Sequence, residues 1–445
     1  MKTIPVNATA AAKLCGRQTS VAGKRYRMTR HCLQIPCANG TLLFHTLTER
    51  LILLESENEW ETERDALIGD WFLVPEDHDE NAHADSVRCV LQALHPRAKG
   101  VTKYTILTTT ECNARCRYCY EMGMRRTSMS RETAADVAEY IVRRSAGQRV
   151  TLQWFGGEPL YHSESIDVIC ALLRARGVAY RSTMTSNGYY LDAEMLRRAV
   201  ECWHLKAVQI TLDGTKEVYQ RVKAYIDEDG NSYERVLGNI ALALDAGVEV
   251  YIRLNVDGRN ANDIMNLCDE LAERFRGIRG LYVAPALLGN YNGCVGAFTS
   301  DMDKAEKYLS IIRKVDSLGF ARPETAVIGQ KSNACKADND ACEIILPDGG
   351  ISKCMHYLDK DIVGSIYGDS LDIEKVGSWK EETRLPDCST CPFYPRCYLL
   401  KKCISTQMGC SEASRMIQVG RIQDRILEMY RSYVDEQARE EENAT

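Results

Sequence analysis

Three cysteines stand within eight residues in Cys112-Asn-Ala-Arg-Cys116-Arg-Tyr-Cys119, directly after an apolar run at 104–109 that reads as a strand. Thiolates so spaced can hold three corners of a cubic iron–sulfur cluster, and no fourth cysteine or histidine lies nearby to close it. One iron would stay open to an outside ligand. A zinc site completed from elsewhere in the chain is the other reading that spacing allows. A second group comes much later: Cys335-x6-Cys342-x4-Pro-Asp-Gly349-x4-Cys354, then Cys388-x2-Cys391-x5-Cys397-x5-Cys403-x6-Cys410. Eight thiolates are the number for two complete four-cysteine sites, and a fully ligated cluster passes electrons but cannot bind substrate unaided. For Cys388–Cys403 taken alone, a zinc ribbon competes.

Cysteine makes up 19 of 445 residues against 8 histidines, which tilts any metal site toward thiolate ligands. No charged-then-apolar signal pattern is visible in 1–23, and no run approaches the ~20 apolar residues that cross a bilayer. The expected location is the cytoplasm, where closely spaced cysteines bind metal or do redox chemistry more often than they form disulfides. Lys+Arg 56 against Asp+Glu 62 gives a net charge of -6, without the positive field that draws a phosphate backbone or an anionic membrane. Nucleic acid and membrane are therefore excluded as first partners. With 45% hydrophobic and 27% charged residues, the chain has ample material for a folded, multidomain protein.

The elements that must carry these cysteines follow from periodicity. Residues 1–23 and the acidic tail from Asp435 read as loose ends. Residues 24–97 read as a small β-then-α module: Tyr26–Ile35 and Thr41–Leu47 flank Asn39-Gly40, a hairpin turn signal, and helical spacing follows at 61–71 and 82–94. Over 100–320, short apolar runs near 104–109, 150–155, 179–185, 207–212, 248–254 and 280–284 alternate with helical segments near 130–144, 163–176, 192–203, 233–246, 261–275 and 301–318. Ser130, Ser163, Asp192, Ser232 and Asn260 stand at or near the helix starts, where short oxygen side chains accept orphan N–H groups. Six β-then-α units predict an α/β fold with a parallel sheet curved into a partial (β/α)6 barrel. Residues 330–415 read as a separate metal-stapled domain, and 416–445 as a helix and tail.

In such a barrel the strand ends share one rim, where active sites lie. The rim would hold Gly156-Gly157-Glu158-Pro159, Ser186-Asn187-Gly188, Asp213-Gly214, Arg253 and Asn255. Glycines allow close backbone approach, Glu158 could accept from an ammonium, and Asn187 offers a donor and an acceptor. Asp213 is the candidate for substrate contact; Arg221, Lys223, Tyr189 and Tyr190 could also meet substrate, but solvated side chains explain them equally well. The remaining cysteines, 15, 32, 37, 89, 170, 202, 268 and 294, mostly fall on apolar faces and read as small buried hydrophobes. Cys294 stands apart, in a Gly-rich stretch beside the same rim.

The constellation resembles the radical SAM superfamily. CNARCRYC fits its CxxxCxxC triplet with an aromatic before the last cysteine, and FGGEP fits its second-strand motif. The resemblance implies that Cys112, Cys116 and Cys119 ligate a 4Fe-4S cluster whose open iron is chelated by S-adenosylmethionine. It implies that Gly156, Gly157 and Glu158 hold the methionine ammonium, that Tyr118 sits by the adenine, and that Ser186, Asn187 and Arg253 serve the cofactor. Reductive cleavage would give a 5′-deoxyadenosyl radical that removes a substrate hydrogen, with electrons from a donor such as flavodoxin or ferredoxin. The C-terminal cysteines resemble a SPASM domain. That resemblance implies two auxiliary 4Fe-4S clusters, one on Cys335, Cys342, Cys354 and Cys403 and one on Cys388, Cys391, Cys397 and Cys410. The last gap of the Cx2Cx5Cx3C motif is x5 here, so Cys403 and Cys410 could exchange between them.

SPASM-containing relatives modify peptides, and the front module resembles the element that captures a leader segment as an added strand in maturases of ribosomally made peptides. The expected function is a radical SAM peptide maturase installing a thioether or carbon–carbon crosslink in a precursor peptide. The first alternative is an anaerobic sulfatase-maturating, formylglycine-forming enzyme, a family that carries Asp just after the third auxiliary cysteine, where this chain has Met355 after Cys354. The second is a zinc-organised binding protein.

Overall fold

The computed structural model describes residues 1–6, 13, 15–93, 98–226, 230–290, 293–320, 335–368, 370–397 and 399–444. They fall into two compact units: Met1–Pro96 with Glu381–Thr445, and Arg97–Glu324 with Cys335–Lys380.

The larger unit is built on six parallel strands in chain order across one sheet: Lys103–Thr109, Val150–Gly156, Tyr180–Ser186, Leu205–Leu212, Glu249–Val256 and Leu281–Leu287. Each lies within three residues of the run that predicts it. Register sets Ile106 against Trp154, Trp154 against Met184 and Ile210 against Ile252. All five of these side chains are buried to 1% exposure or less, so the apolar positions fix the pairing. Helices Arg131–Arg144, Glu164–Ala175, Ala193–Trp203, Ser232–Asp245, Ala261–Phe275 and Asp301–Ser317 cover the sheet. Ser130 and Asp192 cap their helices by accepting from Thr133 and Met195 backbone N–H groups. Ser163 and Asn260 make no such bond, and Ser232 lies inside its helix.

Two features of this unit correct the sequence reading. A further helix, Lys216–Lys223, follows the fourth strand; at eight residues it is too short for a periodic signal. The cysteine-rich segment also adds to the barrel sheet. Cys342–Ile345 pairs parallel to Lys103–Thr109, and Gly350–Ser352 and Ile362–Ser365 continue antiparallel. The buried run Ile344, Ile345, Leu346 and Ile351 finds its cover at that edge. Of the described residues in the expected 330–415 domain, Cys335–Lys380 go with the larger unit and those from Glu381 onward with the smaller.

The smaller unit holds a four-stranded antiparallel sheet in the order Lys2–Ile4, Leu51–Leu54, Gly40–His45, Cys32–Cys37. The hairpin turns at Ala38-Asn39, one residue before the expected Asn39-Gly40, because Gly40 already pairs with Cys37, at φ 134°. Tyr26–Met28 leaves the hairpin to pair with Leu73–Pro75. Lys2–Ile4 is an ordered strand, correcting the expectation of a loose start, because Ile4 is buried with Leu42, Phe44 and Leu53. A helix at Glu80–Ala93 follows, and Glu412–Ala444 is one helix that continues through the expected tail. Ile422, Ile426 and Tyr430 of that helix, with Phe393, complete the core around Phe44. Tyr430 Oη accepts from Asn39 Nδ2 at 2.8 Å, and Arg88 pairs with Glu382 at 2.9 Å.

Candidate active site at the strand tips

The loop after the first strand carries Cys112, Cys116 and Cys119, all partly buried. It is tied at both sides. Gly157 and Glu158 N–H groups donate to the Thr109 and Glu111 carbonyls at 3.0 and 2.9 Å, and a side-chain carbon at Gly156 or Gly157 would collide with those same two oxygens. Only glycine lets the two strand ends close to this distance, and Gly156 also has φ 127°. On the other side, Arg115 N–H donates to the Lys223 carbonyl at 2.9 Å, and Ile226 N–H donates to the Asn113 carbonyl at 2.8 Å.

Glu158 is completely buried. Its carboxylate accepts from Ser186 Oγ at 2.8 Å, Asn187 N–H at 2.7 Å and Leu160 N–H at 3.2 Å. The group therefore joins the second and third strand tips. Burial pushes its carboxyl up to about 7, against the pull of those donors. Asn187 Nδ2 donates to Asn113 Oδ1 at 2.7 Å and reaches Cys112 Sγ at 3.9 Å, so the third strand touches the cysteine loop directly.

The fourth and fifth strands contribute a buried polar network. Tyr118 Oη accepts from Asn255 Nδ2 at 2.9 Å and from Lys223 Nζ at 3.3 Å. Asn255 Nδ2 also donates to Asp213 Oδ1 at 3.1 Å, and Arg253 Nε donates to Asn255 Oδ1 at 3.0 Å. Lys223 Nζ pairs with Asp213 Oδ2 at 3.1 Å, with the two side chains 2% and 0% exposed, and donates to Thr211 Oγ1 at 2.5 Å. Asp213 is thus held inside the network. Burial alone would pull the Lys223 ammonium down, but the Asp213 carboxylate, then Tyr118 and Cys116, keep it well above the ordinary value.

The donor set fits a cationic cluster. Burial pushes Cys112 up to about 12 and Cys119 up to about 11, and raises Cys116 against the pull of Lys223. Three neutral thiols result, and three thiolates there would need positive charge beyond one lysine that is already paired. Iron supplies it. Among the described residues no three His, Cys, Asp or Glu side chains converge on a single-ion site; cluster thiolates bind separate irons and need not converge.

The C-terminal cysteines divide between the units. In the larger unit, burial raises the Cys342 thiol and the nearby Cys335 adds to the effect, against Lys336 and Lys353; the Lys353 ammonium donates to the Cys342 carbonyl at 2.7 Å. Cys354 acts on Tyr120 of the first cysteine loop, and the Tyr120 ring stands 4.9 Å from His356. In the smaller unit, Cys410 is close enough to Cys388, Cys391 and Cys397 for each to raise its thiol; Cys403 belongs to this unit and precedes the short helix Ile404–Gln407. Of the other cysteines, Cys170 and Cys268 are buried as expected, whereas Cys89 is exposed.

Several site residues escape sequence reasoning. Lys223 reads as solvated, yet it is buried behind the cysteine loop. Asn113 and Glu121 carry no motif, and burial pushes the Glu121 carboxyl up to about 7. Asp213 and Lys223 lie ten positions apart, and only the strand-to-helix turn between them brings them together.

Residues 106–271 match the family described as Radical SAM superfamily. A protein of Methanosarcina mazei described as "Probable GTP 3',8-cyclase" is 26% identical over 223 residues, covering 48% of this chain and 63% of that protein. The chain thus spans less than two thirds of this relative. Among solved structures, native anSMEcpe with bound AdoMet aligns over 75% of this chain and 99% of its own at 16% identity, with a TM-score of 0.58. Streptococcus suis SuiB bound to precursor peptide SuiA aligns over 84% and 94% at 12% identity, with a TM-score of 0.52. These two likenesses are of fold. With the cysteine loop, the glycine contact and the parallel strand tips in place, the core of this chain is a radical SAM domain.

Proposed function

We propose that this chain is a radical SAM peptide maturase that forms a thioether or carbon–carbon crosslink in a ribosomally made precursor peptide. The observation that carries the radical SAM chemistry is the partly buried three-thiol loop, which meets Asn187 at 3.9 Å and the glycine contact of the second strand. Cys112, Cys116 and Cys119 would hold the cluster, and the rim formed by Gly156, Gly157, Ser186, Asn187 and Arg253 would receive S-adenosylmethionine. When bound, the pair supplies reductive cleavage of the sulfonium and a radical that abstracts hydrogen. The chain's own part is to hold the loop rigid, through the Glu158 carboxylate and the Tyr118–Asn255–Asp213–Lys223 network, and to keep water from it.

The peptide assignment is supported by two features. The C-terminal segment supplies eight further cysteines, enough for two auxiliary clusters, and Cys388, Cys391 and Cys397 lie near enough to Cys410 to act on its thiol. The same unit presents Lys2–Ile4 as an edge strand, able to take up an extended leader. SuiB, of similar fold, has been solved with its precursor peptide. A flavodoxin or ferredoxin would supply the electron. Among the described residues no helix is long and apolar enough to cross a membrane, and the cytoplasm is the proposed location.

Anaerobic reconstitution tests the reading. Three clusters require about twelve irons and a brown chromophore, whereas zinc sites are colourless. Cys112→Ala, Cys116→Ala and Cys119→Ala are each expected to abolish release of 5′-deoxyadenosine while lowering iron by about four per chain. Retained release in any of the three sinks the assignment. Mass spectrometry of a precursor peptide encoded beside this chain and co-expressed with it reads the product, and an unmodified peptide counts against the maturase.

A further inference from the structure

We propose that Lys223 is the residue that sets how readily the centre on Cys112, Cys116 and Cys119 accepts an electron. The inference deepens the reading above and rests on those three cysteines holding a cluster.

Three observations on geometry carry it. First, Lys223 is a fixed buried cation, 2% exposed, at the end of the helix Lys216–Lys223. Second, that helix end is bonded to the cysteine loop: the Lys223 carbonyl accepts from Arg115 N–H at 2.9 Å and stands 3.9 Å from Cys116 Sγ. Third, the ammonium points at Tyr118, between Cys116 and Cys119, with its Nζ 3.3 Å from Tyr118 Oη. Adding an electron to a cluster makes it more negative, so a neighbouring positive charge in a low-dielectric surrounding favours reduction. Asp213 opposes this, and its carboxylate stands 3.1 Å from Lys223 Nζ. Lys223 is the member of the pair whose backbone is bonded to the cysteine loop and whose carbonyl meets Cys116 Sγ, so the pair presents its lysine end to the loop, a role distinct from ligation and from contact with the peptide. Lys223 is in this sense a positioning and tuning residue.

The test uses the full chain, reconstituted anaerobically, in a redox titration followed on the signal that S-adenosylmethionine perturbs, so that auxiliary centres are not counted. In Lys223→Met the ratio of reduced to oxidised centre at a fixed potential is expected to fall at least tenfold, equivalent to 59 mV for one electron. Lys223→Arg keeps the charge and is expected within threefold of the parent, and Asp213→Asn is expected to move the other way. Because Lys223→Met leaves Asp213 buried without its cation, the double variant Lys223→Met/Asp213→Asn, which buries no charge, serves as the second measurement; it too is expected to become harder to reduce. Unchanged reduction in the double variant with full iron overturns the proposal. So does lost affinity for S-adenosylmethionine with an unmoved potential, since Lys223 would then act on the ligand. A parent chain that takes up no iron overturns the reading beneath, and is told apart by iron analysis alone.

Discussion

At the scale of single residues, the site is organised by carboxylates that carry no charge-pairing arginine. Glu158 is the clearest case: its two oxygens take three donors from Ser186, Asn187 and Leu160, yet burial lifts its carboxyl from 4.5 to about 7. The folded state therefore binds this proton more tightly than the unfolded chain does. That contribution to stability is complete below about pH 4.5, shrinks as the pH rises toward 7 and is gone above it; the shift bounds it at about 3 kcal/mol. Glu158→Gln cannot titrate, and it sets an amide donor against other donors, a loss of roughly 1–3 kcal/mol. In urea melts of the iron-free chain, the stability of the parent relative to Glu158→Gln is expected to decline between pH 4.5 and 7 and then level off. A difference that grows with pH across that window defeats the argument. The sequence made Glu158 visible through its motif and suggested an ammonium as its partner; the structure gives it backbone and hydroxyl donors of the chain, a pairing across strands that no local pattern encodes.

At the scale of elements, the strand tips are held apart or together by glycine. A methyl at Gly157 would strike the Glu111 carbonyl, whereas Gly238, in the middle of the helix Ser232–Asp245, has nothing within 4 Å of where its Cβ would lie. Gly157→Ala must push the second strand from the first and is expected to cost about 1–3 kcal/mol and to impair cluster loading. Gly238→Ala relieves a helix interior of glycine and is expected to add about 0.5–1 kcal/mol. Circular-dichroism melts of the two variants check both signs, and equal effects would show that close approach at the strand tips is not what Gly157 provides. The six strands and their helices were legible because they bury their apolar residues either with a regular period, as in Val150, Leu152 and Trp154, or as a continuous run, as in Lys103–Thr109. The helix Lys216–Lys223 was not, since two turns give too little period to read. The strands at 342–365 were also missed, because turn residues and cysteines interrupt them and their partner strand lies more than 200 positions earlier.

At the scale of the whole molecule, the chain's front and back belong to one folding unit. Sequence alone made 24–97 an appendage, for hydrophobic periodicity identifies a face and not its partner. The partner is the segment that carries the last five cysteines. His31 Nδ1 lies 3.0 Å from the Pro392 carbonyl, Thr46 donates to the same oxygen, and Arg30 donates to the Ser389 carbonyl. Cys391 itself packs against the core that contains Phe44 and Ile426, both 0% exposed. The sheet of the front module thus forms the floor on which the segment carrying Cys388 and Cys391 rests, and on which the proposed group of Cys388, Cys391, Cys397 and Cys410 would be built. Phe44→Ala removes a buried ring far along the sequence from any cysteine of that group, at a cost of about 3–5 kcal/mol. The reconstituted variant is expected to lose about four irons per chain while still cleaving S-adenosylmethionine, because the Cys112 loop draws its supports from the other unit. Iron content equal to the parent would show that the front module is an accessory after all. Loss of cleavage together with the iron would show that the two units do not fold independently, and it would refute the division of labour argued here.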